Sequence, residues 1–339
     1  MFDLENELNT KSVAVIGAGL SGLVCAHLLE VAGVNVTVFD KGRFPGGRLA
    51  SRNRDQHCFD YGAQYFTARS ANFNNFLNSS TISEAVAKWT GRFGKVVGGT
   101  ITEDSDVEER FVGLPRMRSI ADALAATLDC KLSHRVSELS KTDSGKWRVK
   151  GELHHSASKE QFFIGDFDLL VLSMPPAQAQ QLHKFSGLSG VVISPCFALL
   201  LSFDERIKFN WDGVKIDDEV VSWIARDSSK PGRPDGERWV VHASPHWSER
   251  NYHLKDSEIE KHMFEKFASL TGINLPSVCF SKLHKWKFAR TVTPLGEECI
   301  YDPSTSIVYC GDWCIGARME GAYLSGSAAA KKVMLELKL

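Results

Sequence analysis

The sequence predicts an α/β protein in which a parallel sheet is accompanied by an inserted, sheet-based α+β domain. Short runs of β-branched and other apolar residues at 13–16 and 167–173 are typical of strands covered on both faces of a parallel sheet. A glycine turn and a helical pattern follow the first run. Between residues 188 and 288, strand-like runs surround one helical stripe, which predicts a second domain. The length of 339 residues fits two domains of about 150 residues each.

The composition is that of a globular protein without an electrostatic preference for polyanions. Hydrophobic residues make up 43% and charged residues 24% of the chain, and the net charge is −1. This balance predicts neither nucleic acid nor an anionic membrane as a partner. No apolar run approaches the roughly 20 residues that span a bilayer. The polar N-terminus lacks a signal-peptide core and the eight cysteines form no C-x-x-C pair, so we expect reduced thiols and a cytoplasmic location.

The first element is a strand, glycine turn, helix and strand. Val13–Ile16 is the first strand, and Gly17–Gly22 has the spacing G-x-G-x-x-G. A helical apolar pattern then runs to a predicted stop at Gly33. Asn35–Phe39 is the second strand, and Asp40 ends it.

Each residue type in this unit suits one part of a dinucleotide. Gly17 allows the tight turn, Gly19 lets a pyrophosphate approach the backbone, and Gly22 lets the helix pack against the sheet. The free N–H groups at the start of the helix attract phosphates. Asp40 can accept hydrogen bonds from ribose hydroxyls and would repel a 2′-phosphate. The unit therefore predicts a Rossmann-like dinucleotide-binding domain.

The turn Lys41–Arg48 follows this unit directly and adds a second set of phosphate ligands. Gly46 and Gly47 offer bare backbone, and the Arg48 guanidinium can hold a pyrophosphate through two hydrogen bonds. The alternative is a surface turn with a solvated arginine, which the position of the turn disfavours.

Farther along the chain, polar turns separate strand-like and helical patterns. Residues 132–139 and 147–153 are predicted strands, and 278–283 is the last strand-like run of the second domain. Ser228–Pro234, rich in serine, proline and glycine, is predicted to be a surface loop. The final helix is predicted from about Gly321 to Leu337.

The first unit resembles the FAD-binding signature of the flavin amine oxidase and phytoene desaturase superfamily. The residues that carry this resemblance are Gly17, Gly19, Gly22, Ala26, Gly33, Asp40 and Gly46-Gly47-Arg48. Later segments resemble the renalase-like branch of that superfamily, namely Asp60–Thr67, Trp286–Ala289, Gly311–Cys314, Glu320–Ala322 and Ser325–Gly326. The resemblance implies non-covalent FAD and an amine oxidase-like two-domain architecture.

That architecture implies a discontinuous division of the chain. The FAD-binding domain comprises residues 11–70, 114–180 and 289–339, and the substrate domain comprises residues 71–113 and 181–288.

By resemblance, residues from both ends of the chain hold the cofactor. The predicted set is Gly17, Gly19, Leu20, Ser21, Gly22, Asp40, Lys41, Gly46, Gly47, Arg48, Gly62, Ala63, Gln64, Val136, Gly311, Asp312, Glu320, Gly321 and Ala322. Asp312 would accept from ribityl hydroxyls, and the helix starting at Gly321 would face the flavin N1/C2 edge. Plain strand packing is the alternative for Val136, and an ordinary first-turn acid is the alternative for Glu320.

The resemblance implies an enzyme that oxidises the 2- and 6-dihydro isomers of NAD(P)H to NAD(P)+, with hydride passing to flavin N5 and oxygen or another acceptor re-oxidising the flavin. Gln64, Tyr65, His242 and Trp286 are the predicted walls of its small-molecule pocket, with core or rim packing as the alternative for the last two. No protein side chain is predicted to be catalytic. Neither G-x-S-x-G nor H-E-x-x-H occurs, and we predict no metal. An FAD-dependent amine oxidase and a non-catalytic flavin-binding module are the alternatives.

Overall fold

Two large sheets organise the computed structural model, which describes residues 11–54, 57–105, 108–155, 160–271 and 275–339. Its strands are β1 (Ser12–Ile16), β2 (Asn35–Phe39), β3 (Ser51–Arg54), β4 (His57–Asp60), β5 (Val86–Lys88), β6 (Phe93–Val97), β7 (Thr100–Glu103), β8 (Phe111–Gly113), β9 (Asp129–Lys131), β10 (His134–Lys141), β11 (Trp147–Leu153), β12 (Gln161–Phe167), β13 (Leu169–Leu172), β14 (Val192–Phe203), β15 (Gly213–Lys215), β16 (Val221–Arg226), β17 (Glu237–Ala243), β18 (Val278–Thr293), β19 (Ile300–Asp302) and β20 (Ile307–Tyr309). Its α-helices are α1 (Leu20–Val31), α2 (Ala71–Leu77), α3 (Ser119–Ala125), α4 (Pro176–Leu182), α5 (Pro245–Arg250), α6 (Asp256–Thr271), α7 (Asp312–Ile315) and α8 (Met319–Leu337). None of these helices is long and apolar enough to cross a bilayer.

The first large sheet is the predicted parallel sheet. Its strand order is β19-β20-β13-β1-β2-β9, and only the edge strand β19 runs antiparallel to its neighbour. The central strand β1 pairs Val13 with Leu169 of β13 on one side and with Val36 of β2 on the other. All three of these side chains are buried, as expected for a sheet with helices or other sheets against both faces.

The second large sheet has the order β18-β14-β17-β16-β15-β6-β7 and is antiparallel except for the β15–β6 pair. Helix α6 covers one face, and its buried residues Ile259, Met263 and Phe267 follow the predicted helical stripe. The predicted α/β class with an additional sheet-based unit is confirmed. The domain boundaries given above stay a prediction.

Two predicted strands differ in length from the observed ones. The run 278–283 is only the start of β18, which pairs with β14 from Val278 to Thr293 and so continues past residue 288. The run 167–173 is divided, because Phe167 ends β12 and the next strand begins at Leu169. Lysines interrupt the apolar pattern of β18, but main-chain pairing with a long neighbour sustains the strand.

The first and last helices pack unusually closely where glycines face backbone. A Cβ atom added at Gly326 of α8 would lie 2.3 Å from the carbonyl oxygen of Ser21 in α1. Likewise, a Cβ at Gly22 would lie 2.1 Å from the carbonyl oxygen of Gly17. These contacts press the N-terminal turn of α1 against both the sheet and α8.

Replacing Gly326 by alanine should lower the free energy of unfolding by about 1–3 kcal/mol, because α1 and α8 must separate to admit the methyl group. Urea unfolding followed by circular dichroism measures the change. Lys331→Ala, at an exposed position of the same helix, is the control and should change stability by less than about 0.5 kcal/mol. Equal stabilities of the two variants would contradict the close packing.

Candidate active site

The turn between β1 and α1 has the predicted backbone geometry. Gly17 adopts a φ of 114°, and a Cβ there would meet the Ser173 carbonyl at 3.0 Å. The Asp40 carboxylate accepts hydrogen bonds from the amides of Ala18 at 2.7 Å and Gly42 at 2.6 Å. Asp40 therefore holds this turn and the next one together, a role that sequence reasoning did not foresee.

Three glycines form a bare backbone cradle beside the start of α1. Gly46 donates its amide to the Ala18 carbonyl at 2.7 Å, and Gly19 and Gly46 form an isolated bridge. A Cβ at Gly47 would lie 3.5 Å from Gly19 Cα, while a Cβ at Gly19 would have no atom within 4 Å. The N-cap residue Gly19 has no side chain that could cap α1, and the first amides of a helix have no intrahelical partners. Open space, bare backbone and uncapped amides fit the diphosphate of a dinucleotide.

Arg48 and Asp312, both predicted cofactor ligands, bind each other. Arg48 Nη1 donates to Asp312 Oδ2 at 2.8 Å, and the second guanidinium nitrogen donates to the other carboxylate oxygen. Arg48 also donates to the Ala289 carbonyl at 3.3 Å, and Thr291 donates to Asp312 at 3.4 Å. This bidentate pair joins the turn after β2 to the start of α7 and fixes the direction of the guanidinium.

A cavity of about 660 Å³ adjoins this ion pair. The predicted pocket residues Gln64, Tyr65, His242 and Trp286 all line it. Predicted cofactor residues that also line it are Leu20, Gly46, Arg48, Gly62, Ala63, Gln64, Asp312 and Ala322. The structure therefore brings residues from distant parts of the chain to one cavity.

Neutral hydrogen-bonding groups form one wall of the cavity. Burial lowers the pKa of His242 to about 4, so this imidazole is neutral near pH 7. His242 Nε2 lies 3.3 Å from the Tyr61 carbonyl, and Trp286 Nε1 donates to the same oxygen at 3.0 Å. Burial also raises the pKa of the Cys196 thiol, which lines the cavity, to about 12.

An aromatic stack supports this wall. Tyr61 stacks on Trp286 with ring centres 5.3 Å apart, and His284 packs edge-on against both. Burial lowers the pKa of His284 to about 4. Neither Tyr61 nor His284 was among the site residues predicted from the sequence. Their signal is the two-residue spacing of His284 and Trp286 on one face of β18.

The other predicted cofactor residues lie off the cavity lining. They are Gly17, Gly19, Ser21, Gly22, Asp40, Lys41, Gly47, Val136, Gly311, Glu320 and Gly321. Val136 lies in β10 opposite Gly151, where it packs against a buried cluster. Glu320 accepts from the amides of Ser70 at 2.7 Å and Arg69 at 3.2 Å, which ties α8 to that loop. Burial alone would raise the pKa of Glu320, but these hydrogen bonds outweigh it and lower the pKa.

A buried charge cluster lies behind Gln64. The side chains of Asp60, Asp227, Lys230 and Arg233 are all 0% exposed. Lys230 Nζ lies 2.6 Å from Asp227, 3.4 Å from Asp60 and 3.3 Å from Gln64 Oε1. Arg233 donates to Asp60 and, at 2.8 Å, to the Gly113 carbonyl. The segment Ser228–Pro234 is a loop with Gly232 and Pro234 exposed, as predicted, but its two cations, Lys230 and Arg233, are buried against Asp60.

The pKa values of the two carboxylates in this cluster are shifted in opposite directions. Burial raises the pKa of Asp227, and the neighbouring Asp60 adds to the rise, which Lys230 only partly offsets. Burial acts on Asp60 in the same sense, but Lys230, Arg233 and two hydrogen bonds outweigh it and hold its pKa below the ordinary value. The Lys230 ammonium thus favours the charged form of both acids.

Comparison with known proteins identifies the family. A domain description for NAD(P)-binding Rossmann-like domains matches residues 15–80, and one for flavin containing amine oxidoreductases matches residues 99–334. The chain belongs to the flavin containing amine oxidoreductase family. Membership of this family, together with the dinucleotide-binding unit, implies FAD as the cofactor.

Individual relatives of the family match only parts of the chain in sequence. The chain is 40% identical to a mitochondrial protoporphyrinogen oxidase of Nicotiana tabacum over 22% of its own length and 15% of that protein's. It is 37% identical to a coproporphyrinogen III oxidase of Staphylococcus aureus over 27% of its length and 18% of that protein's. The structure of cyclohexylamine oxidase from Brevibacterium oxydans superposes with a TM-score of 0.73 at 12% identity, covering 97% of this chain and 100% of that one. This last similarity shows the shared fold.

Replacing Gly19 by alanine should weaken FAD binding by about tenfold or more, because the methyl group enters the space beside the uncapped amides where a diphosphate would approach. The φ of −73° and the open surroundings predict an unchanged stability of the apoprotein. Quenching of FAD fluorescence on titration with apoprotein measures the affinity. The contrasting variant Gly22→Ala should lose stability and FAD together. Wild-type affinity in Gly19→Ala would contradict the cradle as the diphosphate site.

Replacing Lys230 by methionine should lower the free energy of unfolding by about 3–5 kcal/mol at pH 7, because buried carboxylates lose their cation. Without Lys230, the folded-state pKa values of these carboxylates rise, so the folded state binds protons that the unfolded state releases. The stability deficit, which is the difference in free energy of unfolding between wild type and variant, should therefore decrease as the pH falls from 7 to 5. Urea unfolding measures it. Lys261→Met, which removes an exposed lysine paired with Glu265, is the control and should cost at most about 0.5 kcal/mol. A deficit that is independent of pH would contradict this assignment.

Proposed function

We propose that the protein is a renalase-like oxidoreductase that converts the 2- and 6-dihydro isomers of NAD(P)H to NAD(P)+ with non-covalently bound FAD. The observation that carries the proposal is the neutral wall of the cavity, where His242 and Trp286 are both directed to the Tyr61 carbonyl. When bound, FAD supplies the hydride acceptor at N5, and oxygen or another acceptor re-oxidises it.

The proposed substrate needs no base from the protein. In these isomers, one ring C–H bond breaks with its electron pair, and the ring becomes an aromatic pyridinium without releasing a proton. The groups that the structure places on the wall suit this reaction, because His242 is neutral and its ring is oriented by a carbonyl. Gln64 is oriented as well, since its amide nitrogen donates to the carbonyls of Asp60 and Gly62. These residues can position a flat ring and exclude water from it.

Amine oxidation is a second candidate, favoured by a pair of aromatic rings. Tyr65 and Trp223 both line the cavity, and their rings are 5.4 Å apart with a 45° tilt. Two inclined rings could hold an uncharged amine between them. The structure of a putrescine oxidase bound to putrescine also superposes on this chain, with a TM-score of 0.71 at 12% identity. A flavin-binding module without turnover is the third possibility.

Anaerobic mixing of the yellow holoprotein with borohydride-reduced NAD, which is rich in the minor isomers, should bleach the visible flavin absorbance within seconds. Ordinary 4-dihydro NADH, putrescine and cyclohexylamine should bleach it far more slowly. Trp286→Phe should lower kcat/KM for the isomers about fivefold, because it loses the hydrogen bond to Tyr61. The matched control Trp247→Phe alters a tryptophan that does not line the cavity.

Other outcomes of this experiment point to the other candidates. Bleaching by the amines alone would contradict the proposal and support an amine oxidase. A yellow protein that none of these compounds bleaches would favour a module without turnover.

A further inference from the structure

We propose that Arg290 and Arg318 form a cationic rim that recognises the phosphates of the substrate. This inference rests on the proposed function and names the part of the substrate that the chain selects. Both arginines line the cavity, both are exposed, and they come from different elements, β18 and the residue before α8. Neither guanidinium forms a hydrogen bond or ion pair with a residue that the structure describes, although the charge of Arg318 contributes to the lowered pKa of Glu320. Two accessible cations therefore face the opening of a cavity whose inner wall is neutral.

The remaining charges of the lining are largely compensated. Arg69 pairs with Glu108, which also lines the cavity, and Lys215 lies 3.0 Å from Asp104. Arg48 is held by Asp312, as described above. The cations of the cavity that are available to an entering anion are therefore the two arginines at the rim.

A neighbouring groove brings acidic residues close to Arg290. Asp217, Asp218 and Glu219 line a neighbouring groove that shares Arg290 with the cavity. Asp218 pairs with Lys266 at 2.6 Å, and Glu219 pairs with Arg250 at 2.7 Å. Asp217 has no such cation partner among the described residues, so we expect it to be the acid that competes with a ligand for Arg290.

The rim predicts an anionic substrate. Guanidinium groups bind phosphate oxygens through paired, charge-assisted hydrogen bonds. With the dihydronicotinamide ring against the neutral wall, the diphosphate of a dinucleotide would lie toward the opening. A protonated amine is positively charged, as the rim is, and is therefore repelled by it. The geometry thus favours a phosphate-bearing dihydronicotinamide nucleotide over a cationic amine.

The test compares three borohydride-reduced substrates on the holoenzyme: NAD, nicotinamide mononucleotide and 1-methylnicotinamide, which carries no phosphate. The double variant Arg290→Gln/Arg318→Gln should raise KM for reduced NAD about 10–100-fold, the loss of one or two charge-assisted hydrogen bonds. Its kcat should stay within about twofold, and KM for reduced 1-methylnicotinamide should not change. Asp217→Asn should lower KM for reduced NAD, and Arg206→Gln, an exposed arginine away from the cavity, is the matched control.

A binding measurement separates this proposal from the proposed function. Calorimetric titration of the oxidised holoprotein with NAD+ and with inorganic pyrophosphate should show binding that weakens with salt and is lost in the double variant. If the wild type oxidises none of the three substrates, the proposed function fails. The titration alone then tests whether the two arginines of the rim bind phosphates. Unchanged pyrophosphate and NAD+ affinities in the double variant, or an equal rise in KM for reduced 1-methylnicotinamide, would overturn the proposal.

Discussion

The buried ion pairs of Asp60 with Lys230 and Arg233 are the interaction on which the cavity depends. Asp60 ends a strand next to the dinucleotide-binding unit, whereas the two cations follow β16 of the other sheet. Removing such charges from water costs several kcal/mol per ion, so the cluster is favourable only with its partners in place. Lys230 also binds Gln64 on the cavity wall. The same ammonium group thereby joins the strand that Asp60 ends to the segment after β16 and holds the side chain of a wall residue.

The pairing of Arg48 with Asp312 changes which groups would compensate the negative charge of the cofactor diphosphate. A free arginine would supply a full positive charge, but this guanidinium already faces a carboxylate. The uncapped amides of α1 and the helix dipole must therefore provide much of the attraction. The close contact of Gly326 with Ser21 supports this, because it holds the start of α1 against α8 beside the bare glycine cradle.

Local patterns predicted the elements that depend on local interactions. Asn35–Phe39 was predicted and found with the same bounds, because β-branched and aromatic residues between Gly33 and Asp40 favour a short strand. The 228–234 segment is a loop, as its composition indicates, but only the fold reveals that its two cations are buried and neutralised by Asp60. The four predicted pocket residues reach one cavity, as the family resemblance implied. Tyr61 and His284 were missed, since their roles arise from stacking between a loop and a strand.

A neutral wall and a cationic rim act on opposite ends of a substrate. Burial keeps His242 uncharged, so its ring supplies no negative charge to pair with an ammonium group and no positive charge to oppose the pyridinium that the proposed reaction forms. An alkylamine is protonated near pH 7, and it would need to pass the arginines and lose its proton before reacting. A dihydronicotinamide ring is uncharged, and its phosphates are separated from it by a ribose, so each end meets a surface of matching polarity. The proposed substrate thus satisfies both regions at once, whereas a small amine satisfies neither in its predominant charge state.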